Sequence, residues 1–115
     1  MNRVAAVVAG IIIATFATPA LAGQKDDAIA KGMTVYEQQK CALCHSIEGK
    51  GNKKGPLDGV GSKLSAEEIR QWMVNPKEMT EKTKSERKPP MKAYPNLSKE
   101  ELDAIVAYMQ SLKKK

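Results

Sequence analysis

Cys41-Ala42-Leu43-Cys44-His45 is the stretch on which the reading of this 115-residue chain turns. It holds the chain's two cysteines and its one histidine. A disulfide between cysteines so close together would close no useful loop. A dithiol redox pair uses C-x-x-C alone within a βαβ unit, and no such unit is legible here. A structural zinc site needs four ligands, whereas two thiols and one imidazole make three. C-x-x-C-H does match the attachment spacing for one covalent haem. Two thiols can add to the two vinyl groups on one porphyrin edge, and the adjacent imidazole is then held under the iron as the proximal axial ligand. Placing the motif at the end of a helix sets all three side chains on one side of the chain.

Toward the N-terminus, residues 1–22 have the parts of a secretory leader. Arg3 supplies the positive start, residues 4–16 the apolar core, Pro19 the break, and Ala20-Leu21-Ala22 a small-x-small cleavage site. A membrane-spanning helix needs about 20 apolar residues, and Thr15, Thr18 and Pro19 interrupt this one. Cleavage after Ala22 is expected. It leaves residues 23–115 as a single periplasmic domain that is not an integral membrane protein. No cysteine follows the site to take a lipid. A domain this small is marginal without help. After the leader its aromatic residues are Tyr36, Trp72, Tyr94 and Tyr108, so a large apolar cofactor would supply missing core.

The formal net charge is +6, and Arg3 leaves with the leader. An exported chain rarely meets nucleic acid, and no aromatic residues alternate with basic ones to stack bases. The excess points to a protein redox partner with an acidic docking face. A monomer is expected.

The fold class expected is all-α, three to four helices wrapped around one haem. Asp26 and Asp27 can cap a first helix running to about Gln39, with Ile29, Met33 and Tyr36 on its apolar side beside Gly32. A glycine- and lysine-rich loop follows over residues 49–63. Ser65-Ala66-Glu67-Glu68 and Ser98-Lys99-Glu100-Glu101 are capping boxes, each preceded by a leucine able to staple onto the first turn. The helix after Ser65 carries Ile69, Trp72 and Met73 and ends near Asn75-Pro76. The helix after Ser98 carries Leu102, Ile105, Val106, Met109 and Leu112 as an apolar stripe. Residues 77–95 show no periodicity and read as a charged, proline-rich loop; its first part is expected to be solvated.

With one histidine, bis-histidine ligation and a second haem are excluded. The sixth position is left to methionine, lysine, an N-terminal amine, water or nothing. Met33, Met73 and Met109 sit on apolar helical faces, where packing is their expected role. Met79 and Met91 fall in the long loop. Met91 follows Pro89-Pro90 and precedes Tyr94-Pro95, so its backbone is the more restricted. Met91 is the expected distal axial ligand, with Met79 next. A thioether ligand raises the reduction potential relative to a second imidazole.

From about residue 28 to 112 the chain resembles the class I c-type cytochromes, of the small bacterial monohaem kind. The resemblance rests on Gly32 and Tyr36 before the haem motif, the motif itself, Gly55-Pro56-Leu57, Met91 among prolines, and Tyr108 on the last helix. It implies a close crossing of the first and last helices at Gly32, with Tyr36 and Tyr108 packed there. It implies that the Pro56 carbonyl accepts a hydrogen bond from the free nitrogen of His45. Trp72 would pack on the haem and bond a propionate, or else serve as a plain core aromatic.

These residues point to single-electron transport in a respiratory chain rather than to an enzyme. Iron with two protein ligands has no open site. The exposed haem edge would be ringed by Lys40, Lys50, Lys53, Lys54, Lys88 and Lys92, which would steer an acidic partner. A haem enzyme or gas sensor needs an open iron and a distal acid–base group, for which Glu86 and Arg87 are the available side chains. A third possibility is a dedicated subunit or detached domain of a larger oxidoreductase.

Overall fold

The computed structural model describes residues 7–15 and 20–115. Arg3, Phe16, Thr18 and Pro19, on which much of the leader reading rests, lie outside the described residues. No helix among the described residues is long and apolar enough to cross a membrane.

The architecture is helical. α1 (Ala20–Gln38) leads into a single 3-10 turn (Cys41–Leu43) and a two-residue hairpin, β1 (Ser46–Ile47) with β2 (Lys50–Gly51). Four helices follow: α2 (Val60–Lys63), α3 (Ala66–Val74), α4 (Pro76–Thr83) and α5 (Lys99–Ser111). Both capping boxes form. The Ser65 hydroxyl accepts from the Glu68 amide and the Glu68 carboxylate from the Ser65 amide, and Ser98 and Glu101 repeat the pair. Each satisfies two donors that would otherwise be orphaned at a helix start. These bonds hold the Glu68 and Glu101 carboxyls below the usual range.

α1 and α5 form the spine of the domain. Gly32 makes their approach possible: a Cβ there would collide with the Ala104 carbonyl and with Cβ of Tyr108. Beside the crossing, the Tyr36 and Tyr108 rings meet edge to face with centroids 6.0 Å apart. Val35, Ile69, Met73, Ile105, Val106 and Met109 build the core. Lys31 to Glu100 (2.6 Å) and Arg70 to Asp103 (2.8 Å) tie α1 and α3 to α5 at the surface. Exposed pairs like these contribute at most about 1 kcal/mol each.

Several sequence expectations are corrected. α1 starts well before Asp26 and Asp27, which lie inside it rather than at its cap. Met33 is 48% exposed, and Val35 fills the core instead. At 100° per residue, Gly32, Val35 and Tyr36 fall on one side of α1 and Met33 on its flank. The first part of the expected loop is helical: Pro76 opens α4 at N1, where its missing N–H costs nothing, while residues 84–95 belong to no helix or strand. α4 buries Pro76 and Met79, while its charged side chains face solvent. The glycine-rich stretch contains β2 and α2, two elements too short for any periodicity to announce.

The Tyr36 hydroxyl is buried without a partner, and burial, before the neighbouring groups, pushes it up to about 12 from 10.0. Its proton is held more tightly in the folded chain. That stability is fully present below pH 10 and is lost as pH rises through 12. Tyr36→Phe is expected to flatten this alkaline fall. At neutral pH it should leave stability unchanged or raise it by up to about 1 kcal/mol, because it removes an unsatisfied hydroxyl. Thermal denaturation at neutral pH and above pH 10 checks both effects.

Candidate functional site

α1 ends just before Lys40, whose left-handed backbone (φ 56) turns the chain into the 3-10 turn that carries Cys41. Asn52 then ties the motif segment together. Its backbone amide donates to the carbonyls of Ala42 (3.0 Å) and His45 (2.9 Å), and its side-chain amide donates to that of Leu43 (3.1 Å). The Gly55 carbonyl accepts two bonds at 3.0 Å, from the Ser46 amide and from His45 Nδ1. The expected partner of His45 was the Pro56 carbonyl. The bond falls one residue earlier because Pro56 pairs along Ser46 in a parallel bridge, leaving the Gly55 carbonyl facing the ring.

With Nδ1 donating to a carbonyl, Nε2 keeps its lone pair, the form in which imidazole binds a metal. Burial holds the His45 imidazole below its usual range; the Gly55 carbonyl opposes this, and the Arg87 charge adds to it. Burial also pushes the Cys41 thiol up to about 11. No disulfide joins the two cysteines; Cys41 is half-buried and Cys44 exposed.

His45 sits where two clefts of about 550 and 380 Å³ meet; Arg87, Pro90 and Met91 line both as well. The larger cleft holds Cys41, Cys44 and Tyr94, with Lys40 and Lys92 also lining it. The smaller is apolar, walled by Leu57, Val60, Leu64, Ile69, Trp72 and Met109. The Met91 segment is pinned to α3 by the Tyr94 amide, which donates to the Met73 carbonyl at 2.9 Å. Met79 lines neither cleft; it is buried in α4. This donor set fits a porphyrin: two thiols beside an imidazole, an apolar wall for the ring, and a thioether lining the same space. A site for a bare cation would need converging carboxylates or imidazoles, and none lie among the described residues.

The cytochrome c family model matches residues 29–113. The chain belongs to the cytochrome c family. This cytochrome therefore carries covalently bound haem c with its iron, and Cys41 and Cys44 are consistent with the C-x-x-C-H attachment motif. Subunit 2 of the cytochrome c oxidase of Alkalihalophilus pseudofirmus is 28% identical over 72% of this chain and 25% of its own length. Cytochrome c-555 of Methylococcus capsulatus is 33% identical over 42% of this chain and 39% of its own. The cytochrome thus spans well under half the length of either relative. No solved structure matches it significantly. Family members transfer electrons through haem c, and as a class are carriers rather than enzymes.

Of the residues singled out from sequence, His45 and Met91 line both clefts, Cys41 and Cys44 the larger and Trp72 the smaller, while Pro56 lines neither. The six lysines expected around the haem edge are all exposed, and Lys40 and Lys92 line the larger cleft. Sequence reasoning missed Asn52 and the role of the Gly55 carbonyl, both carried by backbone geometry, and it considered Arg87 only as a distal acid–base group, not as a partner of the Cys44 carbonyl.

Proposed function

We propose that this cytochrome is a periplasmic electron carrier of a respiratory chain, with His45 and Met91 as the two axial ligands and with the leader cleaved after Ala22. The observation that carries the proposal is that both adjoining clefts are lined by His45, fixed through the Gly55 carbonyl, and by Met91, held by two prolines and the Tyr94–Met73 bond. Bound haem c supplies a one-electron iron couple. His45 is oriented in advance, so it does not reorient when the charge changes. Met91 fills the position that a substrate or gas would need. The apolar wall around Trp72 and Ile69 keeps water away, which limits solvent rearrangement.

Leu43, 71% exposed, and Cys44 bring the attachment edge to the surface. The exposed lysines near it would steer an acidic partner protein, with the chain acting as a monomer. The haem-enzyme reading is disfavoured by Arg87, whose guanidinium is engaged with the Cys44 carbonyl on the His45 side. The likeness to part of an oxidase subunit supports a respiratory partner.

Two measurements test the proposal. The reduced holoprotein is expected not to bind carbon monoxide, and its electron exchange with an acidic partner protein should slow as salt rises through about 0.1 M. Fast, tight carbon monoxide binding would contradict the ligand assignment. A rate indifferent to salt would contradict lysine steering.

A further inference from the structure

Arg87 differs from the basic residues around it. Lys77, Lys82, Lys84, Lys88 and Lys92 are exposed, whereas Arg87 is half-buried and lines both clefts together with His45. Its Nη2 donates to the Cys44 carbonyl. The guanidinium lies against Gly55, where a Cβ would collide with it. Gly55 is the residue whose carbonyl orients His45. Neither cross-element ion pair among the described residues involves Arg87, so its charge faces the clefts uncompensated.

We infer that Arg87 is a positioning residue for the haem site: it fixes the backbone joining Cys44 to His45, and it sets a permanent positive charge beside the axial imidazole that raises the reduction potential. A guanidinium stays protonated throughout the accessible pH range. Removing an electron leaves the site one unit more positive, and a fixed cation nearby disfavours that state. Partial burial leaves the interaction less screened than one between surface charges. Gly55 makes room for this contact, so one glycine serves both the His45 bond and the approach of the cation. The inference rests on His45 being an axial ligand.

The test is the midpoint potential of the holoprotein at neutral pH, with the absorption spectrum recorded alongside, for wild type, Arg87→Gln and Arg87→Lys. Arg87→Gln keeps a donor and removes the charge. It is expected to shift the redox equilibrium about tenfold toward the oxidised form, a fall of about 59 mV for one electron, with the spectrum unchanged. Arg87→Lys should stay within about twofold of wild type. If Arg87→Gln yields no holoprotein, Arg87→Lys decides alone: its potential should drop away from wild type above about pH 10, as the ammonium loses its proton. An unchanged potential in Arg87→Gln would overturn the inference. So would equal falls in both variants at neutral pH, or an Arg87→Lys curve parallel to wild type through the alkaline range. A wild-type spectrum that is not low-spin would instead overturn the ligand reading, and the inference with it.

Discussion

Met91→Ala is expected to keep its haem but lose the low-spin spectrum, to bind carbon monoxide stoichiometrically when reduced, and to have a lower reduction potential. Alanine removes the thioether without freeing the loop. Pro89 and Pro90 still restrict the backbone, and the Tyr94 amide still holds the Met73 carbonyl. The site therefore opens instead of collapsing. The potential falls because a thioether favours reduced iron relative to the water that replaces it. Met79→Ala is the control. Met79 is buried in α4 at 7% exposure, so its loss should cost about 2–4 kcal/mol of stability while leaving the spectrum as it was. Carbon monoxide titration of the two variants, read beside urea denaturation, separates the effects. The reverse pattern would transfer the ligand role to Met79.

Gly32→Val is expected to destabilise the holoprotein by about 3 kcal/mol with little change in the spectrum of the protein that remains folded. In an open helix, replacing glycine by alanine gains about 1 kcal/mol. At Gly32 the added Cβ meets the Ala104 carbonyl and Tyr108, backbone and ring base that cannot swing aside. Even Gly32→Ala should therefore lose stability, and valine should lose more. Denaturation followed by far-UV circular dichroism measures the loss. A neutral or stabilised Gly32→Ala would mean that α1 and α5 cross less tightly than described.

The helix starts at Ser65 and Ser98 were legible because a capping box is a local device. Serine, glutamate and their spacing are all present in the sequence. The stop at Asn75-Pro76 was legible for the same kind of reason. α4 was not, because the proline that ends α3 also opens the next helix, and only Pro76 and Met79 of its residues are buried. Lacking a stripe, it looks like a solvated charge run. Met33 was placed on the apolar side of α1 because it follows Ile29 at helical spacing, but it lies about 160° around the helix from the buried Val35, and only packing against α5 chooses the phase.

The attachment motif was fully legible, since its chemistry resides in residue identity and spacing. The partner of His45 was not. Whether the Gly55 or the Pro56 carbonyl faces the imidazole depends on how the chain pairs beside Ser46. Arg87 was weighed from sequence as a distal acid–base group. Its guanidinium is instead engaged with the Cys44 carbonyl, 43 positions away in sequence.

Intact mass spectrometry of the matured protein under denaturing conditions, with the absorption spectrum of the same sample, bears most directly on the whole account. The expected result is a coloured protein whose polypeptide mass is increased by one haem that unfolding does not release. A colourless chain, or a pigment that separates on denaturation and leaves Cys41 and Cys44 as free thiols, would contradict it.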